Sequence, residues 1–138
     1  MQPPKRSNED AVIALATKLF NFARQGETET LSAYIAAGAP ANLTNDKGDS
    51  LLMLAAYHGH AETVRTLLIQ GADPNRVNDR GQSPLAGAVF KGYREVIEVL
   101  VAGGADAGYG KPSARDTATM LGKNELLPLL ERKTNDSV

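Results

Sequence analysis

The middle of the chain carries apolar residues at helical spacing in two successive segments. They are Leu52, Ala55 and Ala56 in the first segment and Val64, Leu67 and Leu68 in the second. Ser50 precedes the first segment, where its hydroxyl can accept from a free backbone N–H, and Gly59 and Gly71 follow the two segments as helix-ending residues. The pattern predicts a helix, a tight turn and a second helix, followed by a hairpin-like loop built from the turn residues of 73–81.

This arrangement returns along the chain at a step of 33 residues. Gly38, Gly71 and Gly104 each open a loop that reads Gly-Ala followed by Pro or Asp. Other series keep the same step, among them Leu19, Leu52 and Leu85, and Gly26, Gly59 and Gly92. A single unit of this kind cannot bury its apolar stripe alone, so the copies must stack and share one continuous core.

Two stretches carry the unit in its fullest form. Residues 45–77 read NDKGDSLLMLAAYHGHAETVRTLLIQGADPNRV, and residues 78–110 read NDRGQSPLAGAVFKGYREVIEVLVAGGADAGYG. Both resemble ankyrin repeats, which have a Gly-x-Thr-Pro-Leu-His start, an Ala-Ala middle, a Gly-His corner and a Gly-Ala-Asp ending. The resemblance extends over roughly residues 12–131. It implies an all-α fold, an ankyrin-repeat solenoid of about four helix-turn-helix repeats with protruding hairpin loops.

The two full copies depart from the family at one position. The family's His after Pro-Leu is Met53 in one copy and Ala86 in the other. The hydrogen bond that this His usually makes across the hairpin is therefore expected to be missing, which makes the repeats less rigid there.

The domain organisation follows from the repeat. We expect a flexible tail at residues 1–7, a repeat domain at 8–131 and a second flexible tail at 132–138. The repeats are placed at about 12–44, 45–77, 78–110 and 111–131, of which the first and last are caps. The first helix is predicted from Asn8 to Arg24, with Ser7 or Asn8 as its N-cap. The last repeat is three residues shorter than the others, and we assign this shortening to the corner between its helices, at 122–124. Pro128 is expected early in the second helix of this repeat.

Composition narrows the class of protein. The net charge is −1 and there are no cysteines, so the sequence gives no general attraction to nucleic acid or membranes and no disulfide or thiolate chemistry. The apolar run that begins at Ala11 is interrupted at residues 17–18, too early for a signal-peptide core. No run approaches the ~18 apolar residues of a membrane span. We expect a cytoplasmic, monomeric protein that binds neither nucleic acid nor a membrane.

The residues that could carry chemistry have simpler structural interpretations. His58 and His60 lie two positions apart and do not share a helical face, and with Glu62 they make a poor zinc site. His60 matches the Gly-His corner of the family and is interpreted as structural. The glycine-rich segment 103–113 fits the repeat's own loop and has no Walker spacing. We therefore expect no catalytic residue, no metal, no cofactor and no enzymatic activity.

Binding residues follow from the resemblance, because ankyrin repeats meet partners with their hairpin tips and the exposed side of their first helices. Carried over position by position, the expected partner-binding residues are Asp46, Lys47, Asp49, Tyr57, His58, Asp79, Arg80, Gln82, Phe90, Lys91 and Arg115. Tyr57 and Phe90 occupy the same slot in neighbouring repeats and would form a small apolar ladder of hot-spot residue types. Alternatively, they only cover the small alanines beneath the helix.

These positions predict a protein–protein interaction module, in the role of an adaptor, an inhibitor or a chaperone-like protein, with one or more proteins as partners. Two alternatives stay open at this point. One is an accessory protein for an enzyme, and the other is a metal- or cofactor-handling protein. The surface that distinguishes one ankyrin stack from another lies outside the repeating core, so the fold does not fix the partner.

Overall fold

The computed structural model describes residues 6–131, which form seven α-helices and one 3-10 helix. The α-helices are α1 (Arg6–Gln25), α2 (Thr28–Ala36), α3 (Leu51–Tyr57), α4 (Ala61–Ile69), α5 (Pro84–Lys91), α6 (Arg94–Ala102) and α7 (Ala114–Met120). The 3-10 helix spans Asn124–Leu130. Each pair is joined by a tight corner, and a long loop leads to the next pair, so the predicted all-α stack of four helix pairs is confirmed.

The helices form two layers. The first helices of the pairs, α1, α3, α5 and α7, pack side by side, and the second helices, α2, α4, α6 and the 3-10 helix, form the other layer. Leucines at the repeating positions are fully buried between the layers and between the repeats, as predicted for Leu19, Leu52 and Leu85. Ala55 and Ala88 are equally buried in α3 and α5, and their small side chains allow these two helices to approach closely.

Three serines determine where the first helices begin. Ser50, Ser83 and Ser113 are N-caps of α3, α5 and α7, and each hydroxyl accepts a hydrogen bond from the backbone N–H three residues later, at 3.0–3.1 Å. All three serines are buried. The bond therefore satisfies a helix-end N–H that water cannot reach.

Replacing Ser83 with alanine is expected to lower the free energy of unfolding by about 1 kcal/mol, because the N–H of Ala86 loses its acceptor. The measurement is urea unfolding followed by circular dichroism. Ser32→Ala is the matched control, since Ser32 lies inside α2, where alanine is the better helix former. Equal losses in the two variants would show that the cap bond contributes nothing.

The hairpin loops are held by asparagine side chains. Asn45 Oδ1 accepts from the N–H groups of Lys47 and Asp49 at 2.9 Å each, and Asn78 Oδ1 accepts from two N–H groups of its own loop at 3.0 Å each. Neighbouring loops are also linked, because Asp79 N–H donates to the carbonyl of Lys47 at 3.0 Å. The tips at residues 46–49 and 79–82 are therefore fixed relative to each other rather than free.

The start of the first helix differs from the prediction. Helix α1 begins at Arg6, so Arg6 and Ser7 are helical rather than part of a tail, and Asn8 lies inside the helix rather than at its cap. Nothing between Arg6 and Asn8 breaks a helix, whereas Pro3 and Pro4 disfavour helical backbone in the residue before each of them. The rest of the predicted N-terminal tail, residues 1–5, and the C-terminal tail, 132–138, fall outside the described residues.

The last repeat is short in a different place from the one predicted. Ser113 caps α7 only 30 residues after Ser83 caps α5, whereas Ser83 follows Ser50 by 33. The corner glycine Gly122 lies nine residues after Ser113, as Gly92 does after Ser83, so the corner has its usual length. The three residues are therefore missing from the hairpin, and the prediction of a short corner was wrong.

The second helix of the last repeat is a 3-10 helix rather than an α-helix. Pro128 is the fifth of its seven residues, not an early one. Proline has no N–H to donate to the carbonyl four residues before it, which disfavours an α-helical turn there. Leu126 and Leu130 are nevertheless buried, so the 3-10 helix closes the apolar core at this end of the stack.

Candidate functional site

A row of apolar side chains crosses the ends of the first helices. Tyr57 ends α3 and Phe90 lies one residue before the end of α5. Their rings are stacked, with centroids 6.4 Å apart and planes inclined by only 8°. Phe90 is 47% exposed and Tyr57 is half-buried. The predicted ladder of rings is thus present, and the exposed side of Phe90 faces away from the core.

The row continues into the last repeat through Met120, which is not among the residues predicted from the sequence. Met120 lies two residues before the corner glycine Gly122, just as Phe90 does before Gly92. Its side chain is 71% exposed. The sequence signal that identifies Met120 is the N-cap serine Ser113. Met120 follows Ser113 at the same distance as Phe90 follows Ser83, whereas a step of 33 residues from Phe90 misses it.

An open groove of about 390 Å³ lies along this row. It is lined by Tyr57, Arg80, Gln82, Ala86, Phe90, Lys111, Pro112, Thr117, Met120 and Leu121. We call it the apolar groove, since Phe90, Met120 and Leu121 are its large exposed side chains. Two cations, Arg80 and Lys111, lie among these residues, and no carboxylate does.

A second groove of about 340 Å³ lies on the other side of Tyr57. It is lined by residues of α3 and of the first two hairpins, including Asp46, Lys47, Asp49, His58, Arg80 and Gln82. We call it the polar groove, because it contains both signs of charge. Asp79 joins Asp46, Lys47, Asp49 and Arg80 around a neighbouring notch of about 410 Å³. Nearly all of the expected binding residues are therefore brought to one face.

Three contacts fix the side chains near Tyr57. The Nζ of Lys91 lies 4.9 Å from the centre of the Tyr57 ring, within the range of a cation–π interaction. His58 Nδ1 lies 2.8 Å from the carbonyl of Leu54, and since a carbonyl only accepts, Nδ1 carries the proton. The His58 ring meets Tyr57 edge-on, with centroids 5.9 Å apart. Tyr57 is thus held by Phe90, Lys91 and His58 together.

Comparison with known proteins agrees with this architecture. The family model for ankyrin repeats, in three copies, matches residues 19–109 of the chain. This chain belongs to the ankyrin-repeat family. The match spans α1 from Leu19 through α6 and most of its following loop, and so includes residues 45–77 and all but the last residue of 78–110.

One curated relative shares a shorter segment. It is a Pseudomonas aeruginosa protein described as an ankyrin repeat protein, and it is 56% identical over 41 residues. That segment is 30% of this chain and 24% of the relative, so the match spans about a quarter of the relative's length. The similarity supports the ankyrin-repeat assignment and concerns little more than one repeat.

Arg115 is not at a hairpin tip, contrary to the prediction. It is the second residue of α7, and its guanidinium lies near Gly108, away from both grooves. Measured from the N-cap serine, Arg115 occupies the position of Leu52 and Leu85 in the other ankyrin repeats. Those leucines are buried by the repeat that follows, whereas α7 is the last first-layer helix in the described residues, so an exposed arginine is tolerated there.

At two corners, the side chain that follows the glycine links neighbouring ankyrin repeats. His60 Nε2 donates to the carbonyl of Arg24 at 2.7 Å, at the end of α1, so the structural interpretation of His60 agrees with its position. Lys123 lies at the same place in the last repeat, and its Nζ donates to the carbonyls of Phe90 at 2.7 Å and Val89 at 3.2 Å. Lys123 therefore holds the end of α5, where Phe90 projects.

Two further features of this ankyrin stack bear on its chemistry. Across residues 6–131, no three His, Cys, Asp or Glu side chains come close enough together to hold a metal ion. Within the same part of the chain, no helix is long and apolar enough to cross a membrane.

Proposed function

We propose that the chain is a protein-interaction module that binds a partner protein on its hairpin and inner-helix face, as an adaptor, inhibitor or chaperone-like protein. The observation that carries the proposal is the row formed by the half-buried Tyr57 and the exposed Phe90 and Met120 across three successive repeats. Single exposed apolar residues are ordinary on protein surfaces, but a contiguous row marks an interaction site more often. Aromatic and arginine side chains are also the types that dominate binding energy at interfaces.

The polar groups inside the stack support recognition rather than catalysis. The buried residues with hydroxyl or amide side chains form hydrogen bonds that cap helices, close hairpins, join repeats or stay within one helix; they are Ser50, Thr63, Asn78, Ser83, Ser113 and Thr117. The half-buried Gln70 joins α4 to α2 through its Nε2, and its buried Oε1 has no partner among the described residues. Enzymes instead tend to aim such groups into a pocket. Most of the expected binding side chains lie around open grooves, where a protein surface can reach them.

Changing Tyr57 and Phe90 together to alanine is expected to reduce recovery of the specific partner about tenfold, because the two rings lose both their contact area and their stacking. The measurement is affinity capture from native lysate with quantitative mass spectrometry. Ile69→Ala is the control, since Ile69 is a large, 79% exposed side chain on α4, in the other helix layer. Unchanged recovery with a folded double variant would remove this face as the binding surface.

A further inference from the structure

We infer that the apolar groove binds an acidic segment of the partner protein that carries an apolar anchor side chain. The inference rests on the proposed function, since it names the chemistry of the partner at the same surface. It draws on two properties of the groove: the shape and polarity of its walls, and the sign of the charges at its rim.

The walls of the groove suit an apolar anchor. Phe90 and Met120 project from neighbouring first helices, and Leu121 lies beside Met120 at the end of α7. Ala86 lies one turn before Phe90 on α5 and also lines the groove, where its small, buried side chain leaves the space open. The volume of about 390 Å³ is at the small end of the range for ligand sites, so it accommodates a few side chains rather than a domain edge. Burying an apolar side chain here removes exposed Phe90 and Met120 surface from water as well.

The rim of the groove suits an acidic neighbour. Arg80 and Lys111 are both exposed at the hairpins, and no carboxylate is among the groove's lining residues. A third cation, Lys91, lies over Tyr57 at one end of the row. The whole chain has a net charge of −1, so this is a local excess of positive charge rather than general basicity. An arginine guanidinium can hold a carboxylate with two parallel hydrogen bonds, which makes Arg80 the strongest candidate contact.

The polar groove indicates the direction in which the segment runs. Asp46 and Asp49 lie there, beyond Tyr57, and would repel acidic residues. Arg80 borders both grooves, whereas Lys111 lines the apolar groove alone, so acidic residues of the partner are expected from Arg80 towards Lys111. Asp49 also has a partner within the protein, because its Oδ1 accepts a hydrogen bond from Asn78 Nδ2 at 2.9 Å. The anchor would then enter between Phe90 and Met120, with its acidic neighbours over the last two repeats.

The test uses random 12-residue peptides displayed on phage and selected on the full chain. Enriched peptides are then synthesised and their Kd values measured by fluorescence anisotropy. We expect an aromatic or aliphatic residue beside two or more Asp or Glu residues. The variant Arg80→Glu/Lys111→Glu should weaken binding about tenfold, and added salt should weaken binding to the unchanged chain. Peptides whose acidic residues are replaced by lysine should bind the variant better than they bind the unchanged chain.

Two further variants separate the possible outcomes. Arg76→Glu/Arg94→Glu makes the same change in net charge at exposed positions outside the groove and should leave the Kd values unchanged. Peptides that depend on Phe90 and Met120 but are not acidic, or that bind Arg80→Glu/Lys111→Glu equally well, would overturn this inference and leave the proposed surface intact. Peptides that bind Phe90→Ala/Met120→Ala as well as the unchanged chain would count against both. Failure to enrich any peptide would overturn the inference as well.

Discussion

Replacing Leu85 with alanine is expected to lower the free energy of unfolding by about 2–5 kcal/mol. Leu85 is fully buried in α5, one of the two inner helices of the first layer, which packs against α3 on one side and α7 on the other. The substitution removes apolar contacts and leaves a cavity that the stacked helices can fill only in part. Because stability in repeat proteins depends on the interfaces between neighbours, a cavity at this position weakens two interfaces at once.

The measurement is urea unfolding, with the midpoint and slope compared between variants. A domain of ordinary stability has about 5–15 kcal/mol in total, so the expected loss is easily resolved. Ile69→Ala is the control, since Ile69 is exposed on α4 and its loss should change stability by no more than about 0.5 kcal/mol. A loss below about 1 kcal/mol for Leu85→Ala would mean that the side chains around α5 pack less tightly than the full burial of Leu85 indicates.

The core of this protein could be predicted from the sequence because stacking places equivalent residues in equivalent surroundings. Leu19, Leu52 and Leu85 follow one another at 33 residues, and each is buried by the next repeat. A repeated step therefore carries information about burial that a single helix does not. The cap at Ser50 could be predicted as well, since the N-cap position has a clear chemical preference.

The ends of the stack were harder to predict, because the regular step fails there. The missing three residues lie in the last hairpin rather than at the corner, so Arg115 was assigned to a tip although it lies inside α7. The same error left Met120 out of the binding row. Arg115 illustrates why the regular step fails. No further repeat in the described residues packs against this position, so it need not be apolar, and arginine stands where the earlier repeats have leucine.

The binding face could be predicted in outline but not in its geometry. The matching positions of Tyr57 and Phe90 indicated a ladder, and their rings are indeed nearly parallel. The separation into an apolar and a polar groove depends on where the hairpin side chains lie. Those positions follow from contacts between distant segments, such as the bond from Asp79 N–H to the carbonyl of Lys47, which no local pattern reveals.

The second large loss of stability is expected at a corner glycine, in the variant Gly26→Ala. Gly26 has φ of +73°, a left-handed backbone conformation that costs an alanine about 1–2 kcal/mol. A Cβ at this position would also lie 2.5 Å from Nδ1 of His60, which must then move. That movement weakens the hydrogen bond from His60 Nε2 to the carbonyl of Arg24, and the packing of α1 against the next repeat is weakened with it. We expect a total loss of about 2–4 kcal/mol of unfolding free energy.

Gly122→Ala separates the two causes, because Gly122 is the corner glycine of the last repeat and has φ of +70°. A Cβ there would have no atom within 4 Å, so only the backbone cost of about 1–2 kcal/mol should appear. In a chain that already carries His60→Ala, the cost of Gly26→Ala should fall to that of Gly122→Ala, since the ring is gone. The four-variant cycle is measured by urea unfolding. Equal costs at the two glycines in the unchanged chain would show that His60 does not pack against the corner, so that α1 would depend on its buried apolar residues Leu19, Phe20 and Ala23.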